Sequence, residues 1–248
     1  MPSILTAEPI RPRLHETVTR RLALHIIKTE RDGGLQTFPN EAELCQQLGV
    51  SRSVLREAMK VLADKGMIEM RPKIGTRARP RGDWRLLDPA VLRWQAETSP
   101  DIRFLRDLAE VRLAIQPTAA GFAAVRATAE DLEAIEACLR RREALGPRAT
   151  AEAVSAADLD FHEAVVNASH NPLLIQLGQA IREPFRASLN IIVGSPVKAA
   201  LGARTYRELV AALRRHDPVA ARQAAEKAVG ITMIATEEGR FTGPAAAL

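Results

Sequence analysis

Residues 38–79 read FPNEAELCQQLGVSRSVLREAMKVLADKGMIEMRPKIGTRAR. Asn40 is a helix-capping residue, and Glu43 three positions on completes a capping-box pattern. Pro39 stops the helix from extending backwards. Leu44 and Leu48 share one face one turn apart. Gly49 then ends the helix, because glycine accepts the left-handed conformation of a C-terminal cap. Val50 plugs the turn, and Ser51 caps a second helix over residues 52–66. That helix turns Val54, Leu55, Ala58 and Leu62 inward and ends at Gly66. Ser51, Arg52, Ser53, Arg56 and Lys60 are left for its other faces, with Arg52 and Arg56 one turn apart. Residues 67–70 and 76–79 carry strand signals on either side of the basic turn Arg71-Pro-Lys-Ile-Gly75.

Two short capped helices followed by a basic hairpin outline a winged helix-turn-helix, a module that lays its second helix in the major groove of duplex DNA. A surface helix with solvated arginines is the plainer reading of residues 52–66 alone. The capped helix before it and the hairpin after it argue for the module. The DNA-facing set is then Ser51, Arg52, Ser53, Arg56 and Lys60 on the reading helix, with Arg71, Lys73, Gly75, Thr76 and Arg77 in the wing. Gly75 lets the backbone come close to a groove.

Charge is distributed accordingly. The chain of 248 residues carries +5 overall. Residues 1–81 hold 15 Lys/Arg against 9 Asp/Glu, and the remainder 20 against 21. The whole basic excess thus sits with the part expected to meet phosphate. The length allows two domains. With 46% hydrophobic, 26% charged and only 4% aromatic residues, rich in Ala and Leu, the composition favours soluble helical structure. The two cysteines, Cys45 and Cys138, lie far apart within helical patterns and read as buried free thiols of a reducing cytoplasm. No apolar run is long enough for a membrane span, and the N-terminus lacks the apolar core of a signal peptide.

Outward from the module, residues 1–13 hold three prolines and read as a loose arm, with Arg11 and Arg13 within reach of DNA. Residues 14–30 place Leu14, Val18, Leu22 and Ile26 at i, i+4 spacing, which gives the small domain its first helix over a span of 14–79. Residues 80–87 form a charged linker. From Asp88 to about residue 240 the pattern is helical throughout, about six to seven helices in an all-α bundle, and 241–248 is a tail. Asp88 caps the first of these, with Pro89 at the favoured first position. Residues 103–126 form a long helix striped by Leu105, Leu108, Val111 and Ile115, which Pro117 kinks or splits. Leu132, Ile135 and Leu139 face inward on the next, and residues 171–193 read as one helix.

Chemistry in the bundle is sparse. Asp158 and His162 lie one turn apart on one helix face, a spacing that serves either a divalent metal or an ordinary Asp–His hydrogen bond. Arg112 sits among apolar neighbours on the long helix. It reads either as half of an ion pair or as an inward arginine that grips a carboxylate with both arms.

The order P-N-E-x-x-L, G-V-S-R, L-R-E-A and K-G-M-I with a glycine in the following turn resembles the DNA-binding domain of the GntR family of bacterial regulators, over residues 14–79. Ala42 stands where the family often has an arginine that grips DNA, which shifts the contact toward Arg52, Arg56 and the wing. The bundle, with E-V-R, then D-x-x-F-H-E-A-V-x-N-A-S-x-N-P-L, then A-L-R-R-x-D-P-x-A-A, resembles the effector-binding domain of the FadR subfamily over residues 85–240. In many relatives that domain holds a divalent metal such as zinc through one Asp and three His. The resemblance places the first two ligands on Asp158 and His162, the third on Tyr206 and the fourth on Ala228. A phenol that titrates near 10 and a methyl group replace two imidazoles. The implied metal is therefore absent, or weakly held and completed by effector and water.

The resemblance also implies a pocket with Arg112, His162 and Tyr206, with Arg182 as a further candidate. Such a set suits a small anionic, hydroxyl-rich ligand. The Trp84–Trp94 stretch resembles that of sugar-acid operon repressors of the galactonate type, although Gln116 stands where relatives often carry Glu. The resulting expectation is a homodimeric repressor, cytoplasmic and without membrane contact. It binds a duplex DNA operator and is released by a sugar acid or related carboxylate. A metal-dependent hydrolase using Asp158 and His162, and a constitutive DNA-binding protein with a purely dimerising bundle, are the alternatives.

Overall fold

The computed structural model describes residues 14–34, 37–71, 75–98, 102–146, 149–192 and 196–237. Residues 1–13, read from sequence as an arm, Lys73, and residues 241–248, read as a tail, lie outside them. The chain divides into two compact units, one ending at Thr98 and one beginning at Ser99.

The N-terminal unit contains α1 (Leu14–Arg31), α2 (Glu41–Leu48), α3 (Arg52–Asp64), β1 (Ile68–Arg71), β2 (Gly75–Ala78), a short 3-10 turn (Arg81–Asp83) and α4 (Pro89–Glu97). The Asn40 side chain accepts from the Glu43 N–H at 3.0 Å, and Gly49 closes α2 at φ 67°. Ser51 Oγ accepts from the Val54 N–H and opens α3. Leu55, Ala58, Met59 and Leu62 of α3 pack against Val18, Leu22, Ala23 and Ile26 of α1 in one core. Each of the valine, leucine, isoleucine and methionine side chains among them, once buried, contributes roughly 1.5–3 kcal/mol. Leu14, assigned to the inner stripe by periodicity, is 57% exposed at the open start of α1. The hairpin pairs β1 with β2 antiparallel, Glu69 opposite Arg77 and Arg71 opposite Gly75.

Two boundaries differ from the sequence reading. Residues 80–87 are not a free linker. Trp84 is buried, its indole N–H donates to the Arg79 carbonyl at 2.8 Å, and the Arg85 N–H donates to the Lys65 carbonyl at 2.9 Å. Helix α4 belongs to the N-terminal unit rather than to the bundle. Val91 and Trp94 join the core of that unit, Arg20 binds Glu97 at 2.7 Å, and Lys65 reaches the α4 cap Asp88 at 2.8 Å. An apolar helical stripe looks the same whichever neighbour covers it, so periodicity could not assign α4.

The C-terminal unit consists of α5 (Ile102–Arg126), α6 (Ala129–Ala144), α7 (Ala151–Asn167), α8 (Pro172–Ala180), α9 (Arg182–Ile192), α10 (Pro196–Arg214) and α11 (Pro218–Glu237). Helix α11 lies along α5 and α10, where Ala120, Ala123 and Ala124 meet Ala221, Ala224, Ala225 and Ala228. These small side chains allow close approach of the helices. Ile135, Cys138, Leu139, Phe161, Leu209 and Leu213 fill the space beside them. Helix α5 runs unbroken through Pro117. The span 171–193 is two helices, interrupted at Ile181. Pro184 explains the break, because it lacks the N–H needed to continue the ladder back to residue 180. Seven helices are thus present among the described residues of the bundle, but partitioned differently from the sequence reading.

Candidate nucleic-acid interface and ligand cavity

On α3 the side opposite the core is polar. Ser51, Arg52, Ser53, Arg56 and Lys60 are all exposed. The Ser51 and Ser53 hydroxyls lie 3.0 Å apart across the first turn. Arg56 is not a loose cation. Its Nε and Nη2 donate to the two Glu41 carboxylate oxygens at 2.9 and 3.2 Å, so α2 holds the guanidinium by a two-pronged pair. In the wing, Glu69 pairs with Arg71 across 3.1 Å and also with Arg77. Gly75 adopts φ 100° at the turn, and Thr76 accepts the Phe38 N–H through its carbonyl at 2.9 Å. The arginines of these ion pairs are exposed, and such pairs are individually weak. Any anion that binds here has to compete with Glu41 and Glu69 for the same arginines. Arg52→Ala and Arg56→Ala are each expected to weaken operator binding by about 1–3 kcal/mol where they read bases. Anisotropy titrations of labelled operator check this, and unchanged binding for both would refute the α3 assignment.

In the bundle, α5, α7, α8 and α9 enclose a cavity of about 160 Å³. Gln116, His162, Glu163, Asn167 and Gln179 supply polar lining, with Leu159 and Phe185 among the apolar groups. Arg112 lies behind this wall, 1% exposed, donating to Gln116 Oε1 at 3.3 Å and resting its Cζ 3.6 Å from the centre of the Phe185 ring. Phe185 also packs on His162 at 5.2 Å. From His162 a buried chain of polar groups runs inward. His162 Nε2 meets Tyr206 Oη at 3.2 Å, Tyr206 hydrogen-bonds Asp158, and Arg142 Nε donates to Asp158 Oδ1 at 2.6 Å. Phe161 stacks on Tyr206 at 4.4 Å and fixes its ring.

Burial sets the protonation states. It pulls the Arg112 guanidinium down to about 9, still well above neutrality. It holds His162 well below its ordinary value of 6.5, with Arg112 pushing the same way, so the imidazole is uncharged. It pushes the Tyr206 phenol well above its ordinary range. Burial also raises the Asp158 carboxyl, against the pull of Arg142. The short bond to Arg142 is that of a charged pair.

These residues do not fit a metal. Asp158, the first expected ligand, already accepts from a guanidinium. His162 turns its Nε2 to Tyr206, and Ala228 lies in the apolar core. Among the described residues no group of three or more His, Cys, Asp or Glu is arranged to hold an ion.

Of the sequence-derived effector residues, Arg112, Asp158, His162 and Tyr206 come together. Arg182 does not join them. It pairs with Glu163 at 2.6 Å and Glu183 at 3.2 Å, and only Glu163 reaches the cavity. Sequence reasoning missed Arg142, although a signal existed. Ile135 and Leu139 define the inner stripe of α6, and Arg142 lies seven and three positions on from them, the same face.

Comparison with known proteins agrees with this layout. Residues 14–77 match the model for bacterial regulatory proteins of the gntR family, and residues 107–229 match the FCD domain. The chain is 37% identical to the galactonate operon transcriptional repressor of Escherichia coli, over 82% of this chain and 86% of that one. It is 31% identical to the Uxu operon transcriptional regulator of the same organism, over 61% and 57%. Lar, a regulator of the Listeria monocytogenes agr system, has a similar fold. Its TM-score is 0.60 at 18% identity, over 91% of this chain and 97% of that structure. No helix among the described residues is long and apolar enough to cross a membrane.

Proposed function

The chain belongs to the GntR family of bacterial regulatory proteins, with an FCD domain behind its winged helix-turn-helix, and from that premise we propose that it is a repressor released from its operator by a small sugar acid. Its domains and relatives are those of transcription regulators rather than enzymes, which sets the hydrolase alternative aside. The observation that carries the reading is the pairing of an exposed cationic face on α3 with a separate polar cavity backed by a buried arginine. A buried cation bonded to Gln116, behind a lining that includes His162 and Asn167, suits a carboxylate with hydroxyl groups around it. The first relative above governs a galactonate operon, which supports the same ligand class.

As a homodimer the protein sets two α3 helices about one DNA turn apart on a palindromic site. A ligand releases DNA only by binding the released arrangement more tightly than the bound one. A constitutive DNA-binding protein with a merely dimerising bundle predicts no such coupling. Arg112→Ala is expected to leave operator binding intact and to abolish release by galactonate. An Arg112→Ala protein that still releases DNA removes Arg112 from the site.

The pH profile is a second check. His162 stays uncharged above pH 6.5, and Arg112 stays charged below about 9. Anion affinity is therefore expected to be level between those limits and to fall above about 9, where the free site loses its proton. Isothermal calorimetry across that range measures it. A fall in affinity centred near pH 6.5 would instead assign the charge to His162.

A further inference from the structure

The ligand cavity has three firm walls and one loose one. Helices α5, α7 and α9 line it with buried side chains, among them Ile115, Leu159 and Phe185. Helix α8 supplies Ile175, Gly178 and Gln179, and no residue of α8 is buried. Its composition calls for the opposite. Leu173, Leu174, Ile175 and Leu177 make it apolar round most of its circumference, and such a helix is ordinarily buried. Leu173 is nevertheless 72% exposed and Leu177 38%. Little burial energy holds α8 in place, and an element of that kind opens locally at low cost. We propose that α8 is the door of the cavity, which swings off α7 to admit the ligand and shuts over it. The door stands independently of the sugar-acid reading, on which only the choice of galactonate as probe rests.

The joints at either end of α8 are pinned. Before it, the Ser169 carbonyl accepts from Arg126 Nη1 at 3.0 Å, and His170 sets its Nε2 2.7 Å from the Asp131 carboxylate. His170 has φ 50°, a left-handed conformation that residues other than glycine seldom adopt, and the contact with α6 holds it there. After α8, Ile181 is buried against Leu108 and Ile115, and Arg182 Nε donates to Glu163 at 2.6 Å. Between these joints α8 lies close on α7, and the closeness depends on a glycine. A Cβ placed on Gly178 falls 3.2 Å from Val166 Cγ1 and 4.0 Å from Val166 Cβ. Asn167 of α7 and Gln179 of α8 line the cavity and are both exposed, so they mark its mouth along this seam. When α8 swings, Gly178 leaves Val166 and the mouth widens. When it shuts, water is kept off the buried polar groups behind it, and hydrogen bonds to a ligand are strengthened there.

The seam supplies its own lock, because the 4.0 Å between those two Cβ positions suits a disulfide. Val166→Cys/Gly178→Cys is made in the full-length protein, with Cys45→Ala and Cys138→Ala removing the native thiols. Hydrogen–deuterium exchange read by mass spectrometry needs no ligand. In the parent protein the hydrogen-bonded amides of residues 176–180 are expected to exchange at least about tenfold faster than those of 159–166. Oxidising the cysteine variant is expected to slow 176–180 at least about tenfold, and dithiothreitol to restore the rate. Galactonate probes access. The oxidised variant is expected to take up none in calorimetry and to bind it like the parent once reduced. Oxidised with galactonate already inside, it is expected to retain the ligand through gel filtration until dithiothreitol is added. Exchange of 176–180 as slow as that of 159–166 in the parent overturns the door, whether or not the variant folds. Galactonate entering the oxidised variant as readily as the reduced one overturns it as well. If the parent binds no galactonate, the sugar-acid reading falls, and the exchange rates still decide the claim about α8.

Discussion

Replacing Arg142 with methionine is expected to destabilise the C-terminal unit by about 3–5 kcal/mol, the cost of leaving a buried carboxylate alone. Asp158 keeps the Tyr206 hydroxyl and the more distant Arg112 charge in that variant, but loses its direct cationic partner in a site that is 10% exposed. The double variant Arg142→Met/Asp158→Leu is expected to recover most of the loss, because apolar groups of similar volume often replace a buried ion pair without penalty. Chemical denaturation of the three proteins measures both numbers. Acidification gives an independent view. Burial raises the Asp158 carboxyl, so the protonated form is reached earlier in the folded protein than in the unfolded chain. The single variant Arg142→Met, with an uncompensated carboxylate, is therefore expected to regain stability as pH falls, whereas the double variant has no such response. If the single variant is as stable as the parent, the pair is not the compensated buried unit described above.

Gly66→Ala is expected to be the most damaging small substitution in the N-terminal unit. Gly66 has φ 73°, and a Cβ placed on it falls 2.4 Å from the Asp83 carbonyl oxygen and 3.4 Å from Trp84 Cα. The left-handed backbone alone costs about 1–2 kcal/mol for alanine, and forcing backbone apart adds about 1–3 kcal/mol. The sum, about 3 kcal/mol, corresponds to a Tm shift on the order of 10–20 °C for a domain of this size. Gly49→Ala is the control, since Gly49 has φ 67° with nothing within 4 Å of the added carbon. It is expected to lose only the backbone part. Equal losses for the two variants would mean that the segment at Asp83 and Trp84 gives way freely and is not fixed behind α3.

The contrast between those two glycines shows what the sequence could and could not reveal. Both end a helix, and both were legible as stops, because a cap is a local affair of one residue and its neighbours. Asn40, Gly49 and Ser51 behave as their types dictate, and the two helices they bound lie within two residues of expectation. What Gly66 touches was not legible, because Asp83 lies seventeen positions on and only tertiary packing brings it near. The same limit hid the allegiance of α4 and the partners of Arg56. Nothing local to Glu41 marks it as the carboxylate that grips an α3 arginine fifteen positions on. In the bundle, Asp158 and His162 were legible from their spacing on one helix face and Arg112 from its apolar neighbours, while only the family resemblance pointed to Tyr206. Arg142 was missed because a run of three arginines on α6 reads as a solvated face. Charge in a sequence carries no sign of burial until the apolar stripe around it is extended turn by turn.

The central claim is that ligand in the bundle controls the grip of α3 on DNA. The most direct measurement is an anisotropy titration of the DNA upstream of this gene with the purified full-length protein, repeated at rising galactonate and with a panel of related sugar acids. Sequence-specific binding far tighter than to scrambled DNA at the same salt, with release by at least one sugar acid and no release in Arg112→Ala, is the predicted result. Specific binding that no member of the panel weakens would contradict the account and leave a constitutive DNA-binding protein in its place.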